Sequence, residues 1–265
     1  MHLALLHDGR PALLRVEGPT GAPVVLFFHP FPLHADVWEE LLLTCAAQGL
    51  CAAALDAPGF GGTPPLGEPL TMETIARLGA VALDALGATR AGIVGNSMGG
   101  YAAMAFMRLF PERVSSMTLI ATKASADPPA AKAGREEQAR AVLERGPRAV
   151  MEVLLPKVLA RAPAEAVRRR VEALAARATV QGMADAVRGM ALRPDSLLEM
   201  PRWRVPTLVI AGAEDALMPL TDLETMASAI PGARLEVIDG AGHLPYLDRP
   251  AAVAGLLTAH LHARD

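Results

Sequence analysis

The chain has 265 residues, of which 52% are hydrophobic and 20% charged, and it carries 25 Lys and Arg against 28 Asp and Glu. A chain of this length and composition can fold around its own core, which excludes both a disordered protein and a small scaffold held by disulfides. The formal charge of −3 gives no reason to expect a nucleic acid as a partner.

The sequence shows no targeting or membrane segment. Its amino terminus lacks the basic and apolar regions of a secretion signal, and no apolar run approaches the ~18 residues that a membrane-spanning helix needs. Cys45 and Cys51 fall at a helix end and at the start of an apolar strand, where we expect buried free thiols and no bridge. We therefore expect a cytoplasmic protein with no membrane partner, and the sequence leaves a homo-oligomer open.

The predicted elements begin with an antiparallel hairpin, because residues 2–7 and 11–17 flank the turn pair Asp8-Gly9. Short apolar runs then predict strands that are buried on both faces: 23–28, 50–55, 91–95, 114–121, 207–212 and 235–238. Helical patterns lie between or after them: 71–86, 98–109, 220–230 and 250–263. This alternation predicts an α/β fold with a doubly wound, mostly parallel sheet.

One connection is unusually long, because no strand is predicted between Thr122 and Pro206. Within it, Arg, Glu, Ala and Leu recur at helical spacing in two stretches: 133–145 and 164–178. A structureless loop of this length is rare in a compact domain, so we expect a helical cap that closes an apolar chamber over the sheet. The predicted domains are a core at 1–122 and 201–265 and a helical cap at 123–200.

The strongest local motif is Gly95-Asn96-Ser97-Met98-Gly99, which lies between a predicted strand and a predicted helix. At a sharp strand-to-helix turn a serine stands clear of the sheet, and the flanking glycines allow close backbone approach. The amino end of the following helix favours negative charge beside the serine. The motif predicts Ser97 as a nucleophile.

A serine hydroxyl becomes a good nucleophile when a base takes its proton and a third group orients that base. The last two predicted strands end in loops that emerge at the same sheet edge as Ser97. His243 in one loop is the predicted base, and Asp215 in the other is the predicted orienting acid. Glu214 and Asp239 are alternative carboxylates.

These motifs resemble those of the α/β-hydrolase superfamily, in particular its small capped esterase, enol-lactonase and cofactor-free haloperoxidase branches. The resemblance covers nearly the whole chain and rests on these segments: GNSMGG, GAEDALMP, GAGHLPYLDRP, HPFPLHADVW and DAPGFGG. It implies a serine hydrolase that cleaves a small to medium carboxylic ester or lactone through an acyl-enzyme intermediate. Alternatives are an enol-lactonase, a C–C bond hydrolase and a perhydrolase, and, from another class, a ligand-binding receptor on the same fold.

No cofactor or metal is expected, since the sequence has neither a phosphate-cradling glycine motif after a strand nor metal-ligand spacing among its histidines. The resemblance further implies an oxyanion hole made of two backbone N–H groups, of which Met98 supplies one. The other lies in the loop His29-Pro30-Phe31-Pro32, where Phe31 is the residue between two prolines that still has an N–H group. His29 is expected to anchor this loop.

Overall fold

A single sheet of eight strands runs through the part of the chain that the computed structural model describes, residues 1–7 and 9–262. The strands are β1 (His2–His7), β2 (Arg10–Glu17), β3 (Val24–Phe28), β4 (Cys51–Leu55), β5 (Ala91–Asn96), β6 (Val114–Ile120), β7 (Thr207–Gly212) and β8 (Arg234–Ile238). Their spatial order is β1-β2-β4-β3-β5-β6-β7-β8. Only the pairs β1–β2 and β2–β4 are antiparallel, which confirms the predicted mostly parallel sheet.

The antiparallel edge is the predicted hairpin. β1 and β2 pair from His2 opposite Arg15 to His7 opposite Arg10. Of the predicted turn pair, Asp8 lies outside the described residues, and Gly9 has a φ of +74°. This positive φ suits glycine, in agreement with the turn signal in the sequence.

The central strands are buried on both faces, which explains why they appear in the sequence as continuous apolar runs. Alternate side chains of β3 enter different cores: the Phe28 ring lies 6.2 Å from that of Phe106 on one face, and the Phe27 ring lies 5.4 Å from that of Trp38 on the other. Two apolar layers therefore sandwich the sheet, as a doubly wound fold requires.

The helices that cover these faces are α1 (Glu39–Ala47), α2 (Met72–Ala85), α3 (Met98–Leu109), α4 (Pro129–Val158), α5 (Glu165–Ala175), α6 (Val180–Leu192), α7 (Leu220–Ala229), α8 (Pro245–Asp248) and α9 (Pro250–His262). The four helices predicted outside the long connection correspond to α2, α3, α7 and α9, although residue 263 of the last prediction lies outside the described residues. Cys45, in α1, and Cys51, in β4, are buried free thiols, as expected. Within residues 1–7 and 9–262 no helix is long and apolar enough to cross a bilayer.

The long connection between β6 and β7 is helical, as predicted, and contains α4, α5 and α6. The predicted helical stretch 133–145 ends where, in the structure, Gly146 leaves the helical conformation, with φ +76° and ψ +176°, and Pro147 follows. The chain then continues as a second helical stretch to Val158, which the sequence analysis did not predict, and α6 was not predicted either. The division at 123–200 into a separate cap remains a prediction.

The helix α6 packs directly against a loop of the core. Thr179, at its start, donates from both its backbone N–H and its hydroxyl to the Gly59 carbonyl oxygen, at 2.9 and 3.1 Å. A Cβ atom on Gly182 would lie only 2.3 Å from the Gly59 Cα. Only glycine at residue 182 permits this contact, which holds the inserted helices against the sheet.

Gly182→Ala is therefore expected to lower the free energy of unfolding by about 1–3 kcal/mol, because the added methyl group collides with backbone that cannot rotate away. Gly134→Ala is the matched control: this glycine lies in α4, and a Cβ there would meet no atom within 4 Å. The control is expected to raise stability by up to about 1 kcal/mol through helix propensity. Urea unfolding followed by circular dichroism measures both, and equal effects would contradict the packing described here.

Candidate active site

Three loops at the carboxyl edge of the sheet bring the predicted catalytic residues together. Ser97 follows β5, Asp215 follows β7 and His243 follows β8. Asp215 and His243 contact each other directly, and Ser97 and His243 line one cavity.

Ser97 lies at a sharp turn whose backbone is strained, with φ +53° and ψ −116°. Its N–H donates to the Ile120 carbonyl oxygen at 3.0 Å, and its carbonyl oxygen accepts from the Thr122 hydroxyl at 2.9 Å. A Cβ on Gly99 would lie 1.9 Å from the Phe28 carbonyl oxygen, so the turn needs glycine there. These contacts keep the half-buried Ser97 at the start of α3, beside the cavity.

The Asp215 carboxylate orients the His243 ring. Its Oδ2 lies 2.8 Å from His243 Nδ1, and both side chains are almost fully buried. Its Oδ1 accepts from the backbone N–H groups of Leu217 and Met218, at 2.8 and 3.0 Å. The carboxylate is thus held by its own loop, and the bond at Nδ1 leaves Nε2 as the ring nitrogen that can accept a proton.

The two alternative carboxylates do not contact the histidine. Glu214 Oε2 accepts from the backbone N–H of Arg161 at 2.8 Å, so it fastens the inserted segment to the core. Asp239 contributes its backbone carbonyl oxygen to Arg249 Nε, at 3.2 Å. Of the three candidates, Asp215 is the one positioned to orient His243.

Asn96 connects the serine turn to the histidine loop, and the sequence analysis missed it. This fully buried side chain donates to the carbonyl oxygens of Ile120 and His243, at 3.0 and 3.3 Å, and accepts from the Tyr246 hydroxyl at 3.0 Å. Burial raises the pKa of Tyr246 well above its usual range, so the phenol remains a donor. The sequence signal for this role was a polar residue at the end of an apolar strand, because a buried amide needs hydrogen-bond partners.

A second support of the histidine loop comes from Asp248, whose Oδ2 accepts from the Gly242 N–H at 2.8 Å. Burial raises the pKa of this carboxyl above its ordinary value, although the Gly242 hydrogen bond opposes the shift. Backbone on both sides of His243 is therefore fixed by hydrogen bonds.

The loop after β3 is anchored by His29, as expected. The Ala57 N–H donates to His29 Nε2 at 3.0 Å, which makes Nδ1 the protonated nitrogen that donates to the Pro30 carbonyl oxygen at 3.0 Å. Burial lowers the pKa of His29 to about 4, so the ring is neutral near pH 7. Within the described residues the N–H groups of Phe31 and Met98 have no hydrogen-bond partner.

The cavity has a volume of about 600 Å³ and is not the closed apolar chamber that the sequence suggested. Apolar side chains of the inserted helices and of the loop after Asp215 line part of it: Val150, Val153, Leu154, Met190, Leu217 and Met218. Charged side chains line another part: Lys123, Arg135, Glu137, Arg145 and Lys157. The expectation failed because a helical period predicts a helix without showing which face meets the cavity.

Comparison with known proteins agrees with this architecture. The sequence profile of the alpha/beta hydrolase fold matches residues 23–250. The chain belongs to the α/β hydrolase fold family. These comparisons confirm the expected fold and the expectation that the protein is an enzyme.

Three relatives of this hydrolase illustrate the likeness. The chain is 32% identical over 254 residues to the pimeloyl-[acyl-carrier protein] methyl ester esterase of Aromatoleum aromaticum, which covers 89% of this chain and 96% of that protein. It is 29% identical to the poly(3-hydroxyalkanoate) depolymerase of Ectopseudomonas oleovorans, over 78% of this chain and 74% of that one. The solved structure of a thermophilic esterase from Thermogutta terrifontis, with malate bound, has a TM-score of 0.91, 31% identity and coverage of 100% and 99%.

Removal of the Asn96 side chain is expected to destabilise the protein. Asn96→Ala leaves the His243 carbonyl oxygen and the Tyr246 hydroxyl without their partner, which costs about 1–3 kcal/mol. Tyr246→Phe is the matched variant, because it removes only one of these bonds and is expected to cost about 1 kcal/mol. Thermal and urea unfolding measure both, and an Asn96→Ala protein as stable as the parent would contradict the bridging role.

Proposed function

We propose that this protein is a serine hydrolase that cleaves a small to medium carboxylic ester or lactone through an acyl-enzyme intermediate on Ser97. The observation that carries the proposal is the 2.8 Å hydrogen bond between Asp215 and His243 beside a cavity that Ser97 and His243 share. Esters are favoured as substrates because the relatives from Aromatoleum aromaticum and Thermogutta terrifontis are esterases by name.

In the first half of the reaction His243 Nε2 takes the proton of the Ser97 hydroxyl while the serine oxygen attacks the ester carbonyl carbon. Asp215 holds the ring in the tautomer that leaves Nε2 free to accept, and it stabilises the imidazolium that forms. The oxyanion of the tetrahedral intermediate accepts hydrogen bonds from the unpartnered N–H groups of Phe31 and Met98. The C–O bond to the alcohol then breaks, and His243 gives its proton to the leaving oxygen.

The second half hydrolyses the acyl-enzyme. His243 takes a proton from a water molecule, whose oxygen attacks the acyl carbonyl carbon, and a second oxyanion forms in the same place. Its collapse breaks the bond to Ser97, which recovers its proton from His243. The carboxylic acid product leaves, and no cofactor or metal takes part in the proposed cycle.

We also propose that residues 123–200 act as a cap on this site. Side chains of α4 and α6, among them Leu154 and Met190, share the cavity with Ser97 and His243 from the core. A volume of about 600 Å³ is in the range of pockets for small ligands, which fits an ester of small to medium size.

The triad is tested by replacing its members. Ser97→Ala is expected to lower kcat by about 10⁴–10⁶, and Asp215→Asn by about 10⁴, because a misoriented base leaves the oxyanion donors in place. Glu214→Gln is the matched control: its amide oxygen can still accept from Arg161, so kcat is expected to stay within about twofold of the parent. Steady-state kinetics on a short-chain ester give all three values, and a larger loss in Glu214→Gln than in Asp215→Asn would contradict the assignment of the acid.

A further inference from the structure

Positive charge is concentrated at the proposed active-site cavity, although the chain as a whole carries a net charge of −3. Four cationic side chains line the cavity: Lys123, Arg135, Arg145 and Lys157. Among the described residues that line it, Glu137 is the one carboxylate opposite them. Charge of one sign in a cleft with low-dielectric walls attracts ligands of the opposite sign.

Just before α4, one carboxylate is shared among several cations. Asp127 is 5% exposed and accepts hydrogen bonds from Arg135 and from Arg193, the latter at 2.7 Å, while Lys123 Nζ lies 3.8 Å away. Burial opposes its ionisation, but the two guanidinium groups hold the pKa of Asp127 well below its usual range. Three cations around one carboxylate leave excess positive charge next to the cavity.

Farther along α4, Arg145 and Lys157 have no ion-pair partner within the described residues; Lys132 of this helix is also unpaired, but it does not line the cavity. Both are exposed and line the cavity. Arg140 and Arg148 of the same helix do not line it, and each pairs with a glutamate four residues away, at 3.6 and 3.1 Å. Arg145 and Lys157 are thus the unpaired cations of α4 that a ligand in the cavity can reach.

Building on the proposed function, we infer that the substrate is a small ester that carries a second, anionic group, a carboxylate or a phosphate. Arg145 and Lys157 bind this group while the ester carbonyl lies at Ser97. The apolar side chains of Leu154 and Met218, which line the same cavity, contact the chain that joins the two groups. A monoester of a dicarboxylic acid is the simplest molecule of this kind.

The test compares monomethyl esters of dicarboxylic acids, about four to eight carbons long, with the same esters whose free carboxylate is replaced by a neutral amide. We expect kcat/KM, measured by methanol release, to be about tenfold higher for the anionic member of the best pair at low salt. The advantage should fall toward parity near 1 M salt, where the screening length is about 3 Å. A parallel ester with a phosphate in place of the distal carboxylate decides which anion the site prefers.

Two double variants test which cations bind the anionic group of the substrate. Arg145→Gln with Lys157→Gln is expected to lower kcat/KM about tenfold for the anionic ester and less than about twofold for the amide. Lys132→Gln with Arg148→Gln removes the same charge from α4 at exposed residues that do not line the cavity, and it is expected to leave both values unchanged. The same loss in both double variants would overturn the inferred site, because it would reflect net charge alone.

Failure of this inference can be told from failure of the proposed function. If Ser97-dependent hydrolysis occurs at equal kcat/KM for the anionic and neutral esters, the serine hydrolase stands and the anionic substrate is wrong. If neither ester is hydrolysed, calorimetric binding of a dicarboxylate and of its monoamide tests the anion site directly, and equal affinity would overturn it. Inhibition by polyglutamate, without any advantage for the small anionic ester, would assign the cations to an acidic macromolecule and also overturn it.

Discussion

The close backbone contact around Ser97 is the constraint on which the rest of the site depends. The turn has a positive φ, and its neighbours leave no room for a side chain on the glycines beside it: the Gly99 position lies against the Phe28 carbonyl oxygen. Hydrogen bonds to Ile120 and Thr122 fasten the turn to the next strand. Strands β3, β5 and β6 therefore act together to fix Ser97, and the packing of these three strands maintains its strained backbone.

The loop that carries His243 is held to the same turn by hydrogen bonds. Asn96, directly before Ser97, bonds to the His243 backbone and to Tyr246, so a shift of the turn would also shift the histidine. Asp215 follows β7, and both of its carboxylate oxygens are in hydrogen bonds, one with His243 and the other with its own loop. The site is thus built on the ends of adjacent parallel strands, and small rearrangements of one loop are resisted by the others.

Much of this arrangement could be predicted from the sequence, because it follows from local patterns. Buried parallel strands are continuous apolar runs, and the motif of glycines on both sides of Ser97 is complete within five residues. The choice of Asp215 over Glu214 could not be settled locally, since the two are adjacent and only their contacts, His243 and Arg161, distinguish them. The bond between Asn96 and Tyr246 joins residues 150 positions apart, a distance over which no spacing rule operates.

The segment between β6 and β7 shows most clearly what local sequence patterns do not predict. Its helical character was predictable, but Gly146 and Pro147 redirect α4, and with it the side chains that face the cavity. Cations consequently line a site that was expected to be a closed apolar chamber, because the direction of a helix face depends on the packing of the whole inserted segment. The chemistry proposed at Ser97 and the charge around it can therefore be tested separately.

The most direct experiment on the proposed triad is the reaction with a fluorophosphonate, which forms a stable covalent bond with a serine activated by a histidine base. A single adduct is expected, located on Ser97 by peptide mass mapping, and it is expected to disappear when His243 is replaced by alanine in a protein that still folds. An adduct on another residue, or an unlabelled Ser97 in the folded parent protein, would contradict the account.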